Sequence, residues 1–342
     1  MRVFGTLPQE DLRHVAAAAR AIEAEGYDGV AAMENKHDPF LALAVAGAAT
    51  ERLELHTGVA IAFARTPMAV ANVGWDLAGS TGGRFVVGLG SQVRAHNERR
   101  FSVPWTPPAP RMREFILALR AIWRAWNTGE RLDFRGRFYQ HTLMTPFFSP
   151  QPSPYRPPRV FLGALGDRMC EVAGEVADGV LLHPFTTASY VRDRQIPALE
   201  RGLAKVQRAR EDFEIGISPF VVTGPDDGAL DAVRQATRMQ IAFYGSTPAY
   251  RSVLEHHGWG EAQDELNALS KRGRWTEMAD VITDDILDAF APQAAYDRLP
   301  AELAKRYGGL ADRMSFFSQW GDDHDRWRGL LDALRAEVAA SR

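Results

Sequence analysis

A single cysteine in 342 residues, Cys170, excludes an internal disulfide. It falls among residues of helical spacing, where a small buried thiol is expected rather than a nucleophile, and a reducing, cytoplasmic setting is expected with it. No apolar run is long enough to span a bilayer, and the opening MRVFGTLP lacks the basic region, apolar stretch and cleavage site of a leader. An excess of one charge is missing too. Lys and Arg number 40 against 43 Asp and Glu, a net charge of -3, so neither nucleic acid nor an anionic membrane is expected as a partner. There is no HExxH and no His-x-His after the first strand, and His141, His183, His256 and His257 follow no ligand spacing, so no metal site is expected. Gly88 and Gly90 form a GxG pair without the third glycine of a dinucleotide fingerprint.

What is present is a chain 46% hydrophobic, with strands and amphipathic helices in alternation. Strands are read at 2–5, 29–33, 53–61 and 85–89, and helices at 12–25, 40–49 and 67–78. Asp38 and Thr66 stand before the second and third helices as caps. A helix at 111–126 follows, then a strand, turn, helix and strand between 159 and 185. Beyond these come helices at 189–210 and 228–243, a strand at 213–222, an eighth strand at 314–318 and a closing helix carrying Trp327, Leu330, Leu331, Leu334 and Val338. Eight such strands fit one α/β domain over residues 1–342, a (β/α)8 TIM barrel with its active site at the carboxyl ends of the strands. Two excursions interrupt it. Residues 127–158, rich in proline and aromatics, can pack as a lid or hairpin over the barrel mouth, and 247–307, preceded by Tyr244 and holding Tyr250, Trp259 and Trp275, can wall a pocket.

Four strand ends could carry chemistry. After the second strand, Glu34, Asn35, Lys36, His37 and Asp38 combine acid, amine and imidazole, which suits proton transfer; the same residues also read as a polar loop that caps the next helix. At the third, Gly58 interrupts the run His56, Thr57, Val59, a sign of a bulge or of close ligand approach. At the fourth, Gly90, Ser91 and Gln92 precede Arg94, His96, Asn97 and Glu98. At the fifth, Gly163, Ala164, Leu165 and Gly166 offer backbone N–H groups at a helix start, suited to a phosphate or simply to a tight connection.

In this order and spacing, TGVAIAFARTP, GGRFVVGLGSQVRAHNERRF and LGALGDRMCEVAGEVADGVLLHP resemble the bacterial luciferase-like superfamily, and within it the coenzyme F420-dependent oxidoreductases more than the enzymes that use reduced FMN. The resemblance covers nearly the whole chain. It implies a luciferase-like barrel, often a homodimer, that binds F420, with FMN as the alternative cofactor, and transfers a hydride between the deazaflavin and a small-molecule substrate. It implies a cis non-proline peptide around Thr57, Gly58 and Val59 behind the ring, Gly90, Ser91 and Gln92 beside it, and Gly163, Ala164, Leu165 and Gly166 at the phosphate. Many members carry an acid followed directly by histidine after the second strand. Here Glu34 matches the acid, Asn35 takes the histidine position and His37 lies two residues on. The glutamate that donates a proton in the family's sugar-phosphate dehydrogenases has no match in the fourth-strand loop. His37 and His96, with Glu34, are therefore the expected proton-transfer groups, and the aromatics of the excursions point to a fairly apolar substrate. A monooxygenase using reduced FMN and oxygen, and a non-catalytic flavin-binding protein, are the rival readings.

Overall fold

The computed structural model describes residues 1–316 and 324–340. Eight parallel strands among them are β1 (Arg2–Thr6), β2 (Gly29–Ala32), β3 (Glu54–Thr57), β4 (Phe85–Gly90), β5 (Arg159–Ala164), β6 (Gly179–Leu182), β7 (Glu214–Ile217) and β8 (Arg313–Ser315). Each pairs with the next, β8 pairs with β1, and β3 meets β4 through Leu55 opposite Phe85, so the sheet closes on itself as a (β/α)8 barrel. The eighth strand ends earlier than the sequence pattern implies; Ser318 and the Trp327 side chain lie outside what is described, while Leu330, Leu331, Leu334 and Val338 are buried. No described helix is long and apolar enough to cross a membrane.

Helix starts follow the local chemistry. Asp38 Oδ1 accepts from the Phe40 N–H at 2.8 Å, and Thr66 Oγ1 from the Ala69 N–H at 3.2 Å, each satisfying an orphan donor of the first turn. The helix Leu12–Glu25 buries Val15, Ala19 and Ile22 at helical spacing and stops at Gly26, whose φ of 93° suits glycine.

The barrel floor is built from charge. Arg2, Glu54, Arg159 and Glu214, the first residues of β1, β3, β5 and β7, alternate in sign around the amino-terminal end, and Arg313 of β8 fills the centre. Arg313 Nη1 donates to Glu54 Oε1 at 2.7 Å and its Nε to Glu214 Oε2 at 2.9 Å; Arg159 Nη2 reaches Glu54 Oε2 at 2.5 Å. Above it, the Arg313 guanidinium lies 4.6 Å from the Phe4 ring centroid and 4.3 Å from that of Phe161. Burial alone would raise the Glu54 pKa, but Arg313, Arg159 and Arg2 hold it at about 2. The folded value lies below the ordinary 4.5, so this stabilisation is complete above about pH 4.5 and is lost as the pH falls toward 2. Urea unfolding followed from about pH 6 to pH 3 should show stability declining in the lower half of that range; a flat profile would mean that the carboxylate is solvated.

The excursions part ways. In 127–158 a hairpin forms, Phe134–Arg135 against Gln140–His141, and it is held on the helix Pro108–Thr128. The reason is Glu114 on that helix, whose carboxylate accepts the N–H groups of Arg137, Phe138 and Tyr139 at 2.9, 2.6 and 2.6 Å. The proline-rich remainder runs down the outside past Trp75 and Trp126, leaving Phe147 and Phe148 exposed. The second excursion, by contrast, builds its own apolar cluster, with Val253, Leu254, Leu266 and Ile286, against Leu165, Phe185 and Tyr190 at the ends of β5 and β6.

Candidate cofactor and active site

The third strand does not run unbroken to residue 61. Its ladder stops at Thr57, the peptide Gly58–Val59 is cis, and pairing resumes at Ala60–Ile61. A cis peptide therefore stands where the resemblance placed one. The fully buried Thr57 clamps this turn to β4: its Oγ1 donates to Gly88 O at 2.6 Å and accepts from Gly88 N at 2.9 Å. Gly88 is required by close approach, since a Cβ there would stand 1.9 Å from Thr57 O. Beyond the turn the Val59 side chain lies across the backbones of β4 and β5; Cβ atoms on Gly90 and Gly163 would meet its methyls at 2.5 and 3.1 Å. The result is a low shelf at the carboxyl end, with no side chain rising from Gly58, Gly90 or Gly163.

Glu34 braces that shelf from the side. Its Oε2 accepts from Ile61 N at 2.7 Å and from Arg65 Nη1 at 2.6 Å, and Arg65 Nη2 donates to Asp38 Oδ2 at 2.7 Å. One guanidinium thus joins the bulge to the capping aspartate. His37 stands further out, exposed, with Nε2 3.2 Å from Glu10 Oε2, while Lys36 Nζ donates to the other Glu10 oxygen at 3.1 Å. His96 is exposed on the short helix Arg94–Arg99, which the sequence pattern did not announce. Its neighbour Asn97 is buried and donates to Ser91 O at 2.9 Å and Val93 O at 3.1 Å, fixing the loop in which Gln92 has φ of 55°. Arg100 donates to Asn35 O and so ties this loop to the one after β2. Among the described residues no hydrogen bond joins Glu34, His37 and His96 to one another.

At the end of β5, Ala164 and Leu165 are buried, and Gly166 opens the helix Asp167–Val176 without any side-chain cap. Its first N–H groups are the kind of orphan donors that an anion satisfies. Cys170 lies buried in this helix, and burial pushes its thiol up to about 12, so it is an inert packing residue.

His183 was visible in sequence only as one more histidine. It follows β6 directly, two residues beyond Leu181, whose methyls reach into the barrel toward Gly88 and Gly216. The alternation of a strand aims His183 the same way, one layer higher. Phe185 N donates to His183 Nδ1 at 3.0 Å, so the ring is neutral with its proton on Nε2, and burial lowers its pKa to about 4. Tyr244 and Tyr250 stand 4.9 and 4.6 Å from the imidazole centroid, with Phe185 and Phe290 packed behind. Of the aromatics expected to wall a pocket, Tyr244 and Tyr250 converge here. Trp259 instead stacks on His257, and Trp275 sits exposed beside Phe243.

The sequence pattern that defines luciferase-like monooxygenases matches residues 2–312. The chain belongs to that family. This luciferase-like chain is 52% identical over 314 residues to an uncharacterised protein of Mycobacterium tuberculosis, covering 92% of each. It is 27% identical over 266 residues to the 5,10-methylenetetrahydromethanopterin reductase of Archaeoglobus fulgidus, covering 75% of this chain and 74% of that one. In fold it resembles the coenzyme F420-dependent tetrahydromethanopterin reductase of Methanopyrus kandleri, with a TM-score of 0.78 at 17% identity over 99% of this chain and 98% of the other. It is also 28% identical over 314 residues, covering 88% of each, to a putative coenzyme F420-dependent oxidoreductase of Mycobacterium tuberculosis.

The residues present fit a flavin or deazaflavin nucleotide. Gly90 and Gly163 add no side chain of their own to the surface that Val59 lays across β4 and β5, which suits the backing of a planar ring, and the uncapped Gly166 turn sits at the same end of the barrel. Arg65, His183 and Gln195, whose Nε2 donates to Leu165 O at 2.9 Å, stand at these strand ends and were not among the expected site residues. A residue placed immediately after a strand was a sufficient signal for His183; Arg65 and Gln195 carry no local one.

Proposed function

We propose that this luciferase-like chain is an F420-dependent oxidoreductase acting on a fairly apolar small molecule. The observation that carries the reading is the pairing of two surfaces at one end of the barrel: the low shelf on which the Val59 side chain lies across Gly90 and Gly163, and the uncapped backbone turn ending at Gly166. The first suits a planar ring and the second a phosphate. Similarity to the putative coenzyme F420-dependent oxidoreductase of Mycobacterium tuberculosis favours the deazaflavin over FMN.

In this reading Thr57 and Glu34 hold the shelf, with Ser91 and Gln92 alongside, and the Gly163, Ala164, Leu165 and Gly166 backbone takes the phosphate. The bound deazaflavin supplies the hydride chemistry. The protein contributes position and electrostatics. His183, held neutral, offers an Nε2–H donor to a substrate oxygen between the Tyr244 and Tyr250 rings, a setting that favours uncharged, flat substrates. Proton transfer falls to His37, whose partner Glu10 lies at the rim, with His96 as the other exposed imidazole of the strand-end loops.

Titration of the purified protein with oxidised F420 and, in parallel, FMN tests this by fluorescence quenching. F420 should bind at least about tenfold more tightly, a difference of about 1.4 kcal/mol. A preference for FMN would transfer the assignment to a monooxygenase using reduced FMN, and failure to bind either would remove the reading altogether.

A further inference from the structure

Gln195 is wholly buried yet lies outside every motif noted in the sequence. It ends a wide helical turn, Val191–Gln195, inserted between Ala188–Tyr190 and Ile196–Lys205. Such π turns shift the following residues by one position and cluster at functional sites. Both ends of its amide are used. Nε2 donates to Leu165 O at 2.9 Å, and Oε1 accepts from the buried Thr186 Oγ1 at 3.0 Å. The amide has one sense only, because a flipped group would set its oxygen against the Leu165 carbonyl oxygen.

Leu165 C=O and Gly166 N–H belong to one planar peptide and, in the trans form, point in opposite directions. Anchoring the carbonyl inward on Gln195 therefore aims the Gly166 N–H outward, and that N–H has no partner among the described residues. The same wide turn treats the other flank. Arg194 Nη2 pairs with Asp167 Oδ2 at 2.6 Å, offsetting the one carboxylate that would repel an anion at the start of the helix.

We propose that Gln195 is a positioning residue for phosphate recognition, setting the direction of the Gly166 N–H while Arg194 neutralises Asp167. This rests on the reading of the Gly163 to Gly166 turn as the phosphate site of a flavin or deazaflavin nucleotide. It predicts an effect confined to ligands that carry the phosphate, which a merely structural glutamine would not produce.

The test is fluorescence titration of the wild type, Gln195→Met and Thr186→Val with matched probes: F420 and its phosphate-free deazaflavin riboside, and FMN and riboflavin. Methionine keeps length and burial but cannot donate. Gln195→Met should lose about tenfold in affinity for the phosphate-bearing probe and less than about twofold for its phosphate-free partner. Thr186→Val, which removes only the hydroxyl that orients the amide, should narrow the same ratio by a smaller factor, and Thr186→Ser should restore it. If Gln195→Met does not fold, the ratio in Thr186→Val decides alone. Equal losses for both members of a pair, or no loss, would overturn the role of Gln195 while leaving the phosphate site standing. A wild type that binds both members of each pair equally would overturn the phosphate site, and the proposal with it.

Discussion

Replacing Arg313 with methionine should lower the unfolding free energy by about 3–5 kcal/mol, measured by urea denaturation near neutral pH. Arg313 is almost completely buried, and its guanidinium is shared between Glu54 and Glu214. Arg2 and Arg159 also reach Glu54, but each is somewhat more than a third exposed and screened by water, so neither replaces the inner partner. Methionine would leave Glu54 Oε1 without its donor and remove the cation from between Phe4 and Phe161. A lysine at the same place keeps the charge but not the planar fork, and should recover only part of the loss. The acid limb of the stability profile should also move to higher pH in Arg313→Met, because the largest of the charges that depress the Glu54 pKa is gone. A loss below about 1 kcal/mol would mean that the cluster behaves as a surface ion pair.

Gly88→Ala should be as damaging, and at the other end of the molecule. The new methyl would be built 1.9 Å from Thr57 O, and both the obstacle and the glycine belong to the backbone, so no rotamer change relieves the clash. β3 and β4 must separate, which breaks the two Thr57–Gly88 hydrogen bonds and tilts the peptide that carries Val59. The expected loss is about 3 kcal/mol or more, the upper range for overpacking, together with loss of measurable cofactor binding. Thr57→Val separates the two causes. It preserves the space, leaves Gly88 N–H and C=O unsatisfied, and should cost about 1–3 kcal/mol with weaker but detectable binding. An alanine variant with wild-type stability and affinity would refute the clamp.

These two sites differ in how far they were legible. The barrel itself was, because strands such as Val86–Val87 and Val160–Leu162 are continuously apolar and the helices between them keep a 3.6-residue period. Gly58 stood out as a gap in an apolar run, Gly90 as half of a GxG pair and Gly163 as the start of a tight strand-to-helix turn. The charged floor did not. Arg2, Glu54, Arg159, Glu214 and Arg313 are scattered over more than 300 positions, and each looks like an ordinary charged residue at a strand start until closure brings the strand ends together. For the hairpin at 134–141, composition reports that a segment will pack but not on which group it will be anchored. The deciding group, Glu114, lies on a helix whose polar face reads as solvated. Gln195 was invisible for a related reason: a wide turn shifts the helical phase by one residue, so a periodicity count puts it on the wrong face.

The apolar cluster of residues 247–307 has a consequence for how such a chain diversifies. Because Val253, Leu254, Leu266 and Ile286 bury one another rather than borrowing the barrel interior, substitutions around Tyr250 draw little on the packing that keeps the strands closed. Selection for a new substrate and selection for heat tolerance then act on separate residues, the first on a roof that can be remodelled and the second on a foundation of charge that is left alone.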